Sequence, residues 1–181
     1  MDRIPGLYYI PNAFDEPFII RDLDANKWTL VSCSKNSRVV QQYGYIYDYS
    51  RSNALVNTSV LYHDKEHWLP QFLQPYHDIL CDNMRTLMLP PLDMNQCIIN
   101  NYNHKQSISK HIDSQLFGDV IGCFSIADCA IMRFTNANDS ADVCVEPNSL
   151  YIMSGDARYE WSHEMLPHKG NHRISIAFRN V

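Results

Sequence analysis

The sequence predicts an α+β fold that is mainly β, and three features of the 181-residue chain predict it. Seven short runs rich in Ile, Val, Phe and Tyr follow Pro91, separated by Asn, Asp, Gly and Pro clusters such as NANDSAD, EPNS and SGD. Short strands with regular punctuation argue for an antiparallel sandwich or barrel. Ahead of them lies one segment with helical spacing. No repeat, low-complexity tract or Gly/Ser linker divides the chain, and a prior of roughly 150 residues per domain predicts a single domain over 1–181. Within it, 1–90 supports and 91–181 forms the β core.

From the N-terminus, PGLYYIPNAF and RVVQQYGYIYDY supply candidate strands that cover one face of the core. From Asp64 to Leu89, apolar residues fall at Trp68, Phe72, Tyr76, Ile79, Leu80, Met84 and Leu87. That is helical spacing broken by Pro70 and Pro75, and it predicts one helix from near Pro75 with a shorter turn before it. The seven strand runs are QCIINNY, DVIGCFSI, AIMRFTN, DVCVEP, SLYIMSG, EWSHEM and RISIAFRNV.

Hydrophobic residues at 45% and charged residues at 19% exclude a disordered chain and allow a sizeable core. Fifteen Lys and Arg against twenty Asp and Glu give a net charge of -5, which excludes a globally basic nucleic-acid coat. Cysteines 33, 81, 97, 123, 129 and 144 include no pair spaced for CxxC chemistry or a Cys-rich zinc site, and are expected as free thiols. The start MDRIPGLYYIPNAF lacks a secretory pattern, and no apolar run approaches the roughly 18 residues of a membrane span. A monomer in a reducing compartment, cytoplasmic or nuclear, neither secreted nor in a membrane, is the expectation.

The residues that most need explaining are His111 and Asp113 in SKHIDSQ, with His163 in YEWSHEM fifty positions after Asp113. Ligands at i and i+2 share one face of a strand and diverge on a helix, so HxD in a β context offers two side chains to one ion. Two imidazoles and one carboxylate hold one face of an octahedral ion and leave the rest open, which suits non-haem Fe(II) and O2 chemistry. The triplet alone is equally read as surface or hydrogen-bonded histidines.

Neighbouring residues shift the balance. The run NHRISIAFRNV alternates Ile174, Ile176 and Phe178 with Arg173, Ser175, Ala177 and Arg179, so two arginines project from one face. Its partner candidate QCIINNY places Asn100 and Tyr102 on one face as well. Arg, Tyr, Ser and Asn are what a dicarboxylate requires: forked donors for carboxylates and neutral hydrogen bonders around them. Arg173 and Arg179 stand about 20 Å apart along a strand, so both can clamp a small diacid only where their long side chains lean inward; otherwise one of them serves another purpose.

In order, the blocks NNY ending at Tyr102, HID ending at Asp113, FGDVIGCFSI, NSLYIMSGDARYEWSH ending at His163 and RISIAFR ending at Arg179 resemble the AlkB family of Fe(II)- and 2-oxoglutarate-dependent dioxygenases. The likeness runs over 97–179, with a weaker match through PGLYYIPNAF and RVVQQYGYIYDY. It implies a double-stranded β-helix, or jelly roll, with His111, Asp113 and His163 as iron ligands. It places Arg173, Asn100 and Tyr102 on the distal carboxylate of 2-oxoglutarate, and Ser175 and Arg179 near its keto-acid end. In that family, oxidative decarboxylation of 2-oxoglutarate to succinate and carbon dioxide drives hydroxylation of a C–H bond, and a hydroxylated N-methyl group leaves as formaldehyde. The chain departs from the pattern at three places. His104 and Lys105 stand where Pro-Gly is common, implying a wider or more mobile turn. Ala127 replaces a common glycine. Gln115 stands where bacterial members that demethylate bases carry an acid.

Lys27, Lys35, Arg38 and Arg51 against Asp48 form a locally basic stretch, and period two puts Tyr43, Tyr45, Tyr47 and Tyr49 on one face. A basic aromatic hairpin can stack an unpaired or flipped base, and the resemblance implies a nucleotide-recognition lid here; a core surface is the competing reading. Arg38, Tyr43, Tyr45, Gln115, Arg133 and Arg158 are the candidate substrate residues, with ion pairs to Asp156 or Asp128 the alternative for Arg133 and Arg158. His104, His168 and His172 are expected as exposed loop residues, His63, His67 and His77 as solvated, and Trp68 as a core anchor. The leading expectation is demethylation of alkylated DNA or RNA bases, probed on single-stranded or flipped substrate. The rivals are hydroxylation of a protein side chain or modified tRNA base at the same iron centre, and a non-catalytic jelly-roll binding module.

Overall fold

The computed structural model describes residues 3–15, 23, 27–32, 37–48, 54–57 and 68–181. In chain order the elements are β1 (Leu7–Ile10), β2 (Thr29–Leu30), β3 (Val39–Asp48), β4 (Ala54–Asn57), a 3-10 turn (Gln71–Leu73), α1 (Gln74–Thr86), β5 (Gln96–Asn103), β6 (Ile108–His111) and β7 (Ile121–Ala127). There follow β8 (Ala130–Thr135), β9 (Ser140–Val145), β10 (Ser149–Met153), the single turn α2 (Gly155–Tyr159), β11 (Ser162–Met165) and β12 (His172–Arg179). The helix begins one residue before Pro75, where a missing N–H costs nothing, and all seven predicted runs are strands.

Every pairing is antiparallel. The larger sheet runs β1-β10-β7-β12-β5-β3-β2, with β4 on β3, and the smaller runs β6-β11-β8-β9. They face one another as a jelly roll. The alternation of β12 explains the layering. Ile174, Ile176 and Phe178 point to the back of the larger sheet, where Tyr76, Leu80 and Met84 of α1 close a core with Phe124, Ile126 and Leu150. Contact there is close enough that a Cβ on Gly122 would clash with the Leu80 side chain. Arg173, Ser175, Ala177 and Arg179 point the other way, into the space between the sheets, opposite Met132 and Phe134 of β8. The helix thus covers the apolar back and leaves the polar front for chemistry.

Two turn expectations resolve differently. Asn103 O accepts from Gln106 N at 3.1 Å, and Lys105 has φ 67, so the β5–β6 connection is a tight turn with Lys105 in the position that favours glycine. The expectation of a wider turn is therefore corrected. Ala127, where the family favours glycine, likewise has φ 65 at the β7–β8 turn.

The four-tyrosine face is also corrected. Gly44, at φ 74, breaks the period: β3 pairs with β5 up to Gly44 and with β4 from Tyr45 onward. The Gln42 amide braces the bend, donating to Tyr47 O at 3.0 Å and accepting from Tyr47 N at 2.7 Å. Tyr43 consequently turns into the back core, 2% exposed, edge-on to Phe72 and donating to Gln41 Oε1. Tyr47 goes to the front, against Phe117. Tyr49, Lys35, Arg51, His63 and His67 lie outside the described residues.

Candidate active site

β6 and β11 pair so that His111 stands directly across from His163, with ring centroids 4.5 Å apart. Asp113 is not on the strand: β6 ends at His111, and the carboxylate arrives on the extended segment that follows. That segment is held by Arg158 of α2. Its guanidinium, 1% exposed, donates to the carbonyls of Asp113 (3.0 Å), Ser114 (2.6 Å), Phe117 (3.0 Å) and Gly118 (3.1 Å). Arg158 is thus neither a pocket wall nor an ion pair with Asp156 or Asp128; it fixes the loop that presents Asp113.

One ligand atom from each of His111, Asp113 and His163 lies within 4.8 Å of the others. His163 Nε2 is 3.4 Å from Asp113 Oδ2, and Arg179 Nη2 is 3.1 Å from Asp113 Oδ1. Burial alone would raise the Asp113 carboxyl; Arg179, with His163, His111 and Arg158, reverses this and holds it at about 2. Burial pushes His163 down to about 4 against the pull of Asp113. Near neutral pH the site is therefore a carboxylate beside a neutral imidazole, which is the protonation a divalent cation needs. His111 Nδ1 meets Ser109 O at 2.7 Å, which places its proton there and leaves the Nε2 lone pair for a ligand role. The donor set fits a divalent metal.

Behind the triad, an inner cavity of about 50 Å³ is lined by Asn100, Tyr102, Cys123, Tyr151, Arg173 and Ser175, among others. Arg173 is 2% exposed, with its guanidinium 5.3 Å from the Tyr102 ring centre and Nη2 3.3 Å from Ser125 Oγ. Its Nε is buried without a hydrogen-bond partner, and among the described residues no carboxylate lies within ion-pair reach. A buried cation in that state calls for an anion. Burial raises the Cys123 thiol to about 11 and the Tyr151 hydroxyl well above its usual value, so both stay neutral. Three arginines, Arg38, Arg173 and Arg179, against Asp113 make the cavity electropositive, which fits a small dicarboxylate.

The inner cavity shares Arg38, Ile108, His111, Asp113 and Arg179 with an outer basin of about 320 Å³, which is lined by Val31, Tyr47, Ile112 and Phe117 as well. Arg38 is thus brought to the site. The other candidate substrate residues are not. Tyr43 is in the back core; Tyr45, half-buried, lines neither cavity; and Gln115 is exposed on the turn beyond Asp113. Arg133 makes a forked pair with Asp142 (2.7 and 2.8 Å) beside a separate hollow of about 540 Å³ that holds none of the triad. Cross-strand neutralisation therefore replaces a pocket role for Arg133. His168, expected to be exposed, is 2% exposed with Nε2 3.5 Å from Asp128 Oδ2, and burial lowers its basicity. His104 and His172 are exposed as expected, whereas His77 is half-buried and edge-on to Phe178.

Tyr151, Met153 and Cys123, unmarked by the sequence, line the inner cavity from strands buried on both faces, where alternation carries no signal. Tyr47, one of the four tyrosines of the expected aromatic hairpin, reaches the basin because of the bend at Gly44, whereas Phe117 was discoverable only through the Arg158-held loop.

A family model described as 2OG-Fe(II) oxygenase superfamily matches residues 7–179. The chain belongs to that superfamily. Within this 2OG-Fe(II) oxygenase superfamily it is of AlkB type, a dioxygenase whose cofactors are Fe(II), 2-oxoglutarate and O2. It is 30% identical over 220 residues to the "Alkylated DNA repair protein ALKBH8 homolog" of Arabidopsis thaliana, covering 99% of this chain and 59% of that protein. It is 30% identical over 173 residues to the "tRNA (carboxymethyluridine(34)-5-O)-methyltransferase alkbh8" of Xenopus tropicalis, covering 91% of this oxygenase and 26% of that protein. The chain therefore spans about three fifths and one quarter of these relatives. Its fold matches the structure described as OsALKBH1 with a TM-score of 0.77, at 16% identity, over 98% of this chain and 97% of that one. No helix among the described residues is long and apolar enough to cross a membrane.

Proposed function

We propose that this oxygenase oxidises a base in single-stranded or looped nucleic acid. His111, Asp113 and His163 hold Fe(II), and Arg173, Asn100, Tyr102 and Ser175 hold 2-oxoglutarate. The observation that carries the substrate reading is the outer basin at the triad: the half-buried ring of Tyr47 and the guanidinium groups of Arg38 and Arg179 offer stacking and anion contacts to an unpaired nucleotide, over buried Phe117, whose face is covered by Arg179. Iron and 2-oxoglutarate supply the activation of O2 that inserts oxygen into a C–H bond. The chain's own part is positional. Ser109 sets the His111 ring, Arg179 keeps Asp113 ionised, Arg158 fixes its loop, and Phe134 packs 5.8 Å from His163 on the dry side.

Demethylation with release of formaldehyde is the first form of this reaction, as the family resemblance implies. A second form, hydroxylation of a modified tRNA base with the oxygen retained, is favoured by the tRNA-directed name of the relative that aligns over 91% of this chain. Both are tested together by incubating the enzyme with Fe(II), ascorbate and 2-oxoglutarate on methylated oligonucleotides and on bulk tRNA. Formaldehyde with loss of a methyl mass supports the first form, and a gain of one oxygen on a tRNA fragment supports the second. Oxygen gained only on a peptide panel overturns both.

A further inference from the structure

We propose that Arg38 is a positioning residue for 2-oxoglutarate, acting through the side-chain amide of Asn100. Arg38 lines both the outer basin and the inner cavity, and it precedes β3, far in sequence from the strands that build the diacid pocket. Its Nε donates to Asn100 Oδ1 at 2.7 Å, the length of a charge-assisted bond. A guanidinium has donors and no acceptor, so the atom of Asn100 that faces it must be the oxygen. The amide nitrogen is thereby turned to Ser175 Oγ, at 3.4 Å, on the face that carries Arg173.

The consequence is a chain of donors aimed one way. With the Asn100 oxygen occupied, one of its N–H groups goes to Ser175 and the other is available to an anion, and Ser175, accepting from that nitrogen, keeps its own O–H to give. Without Arg38 the amide is free to rotate and present an acceptor to a carboxylate, which opposes binding. The Arg38 segment is itself held in place: Val31 N donates to Arg38 O at 3.3 Å, and Gln106 Nε2 donates to Ser37 O at 2.7 Å. None of these bonds involves the metal triad, so the effect belongs to the co-substrate alone. The inference rests on the inner cavity as the 2-oxoglutarate site and is independent of which base is oxidised.

The test is calorimetric titration of 2-oxoglutarate into the Mn(II)-loaded chain without nucleic acid, with Mn(II) affinity measured alongside. Arg38→Met is expected to weaken 2-oxoglutarate binding about fivefold to tenfold, the loss of one charge-assisted contact acting at one remove, with Mn(II) affinity unchanged. Arg38→Lys, also donor-only, is expected to restore part of it. In an Asn100→Ala background, Arg38→Met is expected to add less than about twofold, because the intermediary is gone. Unchanged binding in Arg38→Met, an equal loss with Asn100 absent, or a parallel loss of Mn(II) would each overturn the role. Failure of the parent chain to bind 2-oxoglutarate would instead remove the co-substrate site on which the inference rests, and neither result touches the choice of nucleic acid.

Discussion

Arg173→Met separates function from stability in a way that few substitutions at a buried residue can. In the ligand-free chain the guanidinium is 2% exposed, stacks on Tyr102 and reaches Ser125 at 3.3 Å, with no carboxylate among the described residues to neutralise it. The stacking contributes about 1–2 kcal/mol and the long hydrogen bond about 1 kcal/mol. Against them stands a desolvation cost of several kcal/mol, so replacing the cation by an apolar side chain of similar length should be neutral or stabilising by up to about 2 kcal/mol. At roughly 2–4 °C per kcal/mol for a chain of this size, the apo Tm should stay level or rise by up to about 8 °C. Binding of 2-oxoglutarate should do the opposite. Removing one partner of a buried charge pair costs about 2–5 kcal/mol, or roughly 30-fold to several thousandfold in Kd. Calorimetry of the diacid on the Mn(II)-loaded chain and thermal unfolding of the apo chain measure the two effects. A Tm lowered by more than about 5 °C, or a Kd within threefold of the parent, would refute the claim that Arg173 is a cation awaiting its anion.

Three further outcomes follow from the same geometry. His163 has a folded-state pKa depressed to about 4 from 6.5, so the folded chain binds fewer protons than the unfolded one between these values. Apo stability should accordingly rise with pH across roughly 4–6.5 by on the order of 3 kcal/mol, and be lost as pH falls through 4; urea midpoints measured across this window check it, and His163→Gln should flatten the slope. Arg158→Leu strands four carbonyls around the Asp113 loop and should lower Tm by about 6–12 °C and weaken Mn(II) binding, with Arg158→Lys failing to restore either, since an ammonium cannot span the same fork. Lys105→Gly should raise Tm by about 1–2 °C by relieving the left-handed backbone at φ 67, without changing metal affinity.

The β-rich half was legible because its strands advertise themselves one by one. In β12, strict alternation separated Ile174, Ile176 and Phe178 from Arg173, Ser175 and Arg179, and the structure sends these two sets to the back core and the inter-sheet cavity. The meeting of His111 with His163 was legible only through spacing and resemblance, because it depends on β6, a short strand that no apolar run marks, pairing with β11. Elsewhere one residue defeated the period. Gly44 bends β3, so Tyr43 and Tyr47, four positions apart, face opposite sides of the larger sheet. Arg158 and His168 failed for a different reason: each is a polar residue whose burial is decided by distant backbone, four carbonyls in one case and the β5–β6 turn in the other. Sequence patterning registers burial of apolar groups well and burial of polar groups hardly at all.

Crystals of the chain soaked with Mn(II) and 2-oxoglutarate test the central claim most directly. One anomalous peak per chain is predicted, contacting His111, Asp113 and His163, with the diacid behind it and its far carboxylate on Arg173. Manganese bound elsewhere, or a diacid that leaves the Arg173 guanidinium without an anionic partner, would contradict the assignment of both sites.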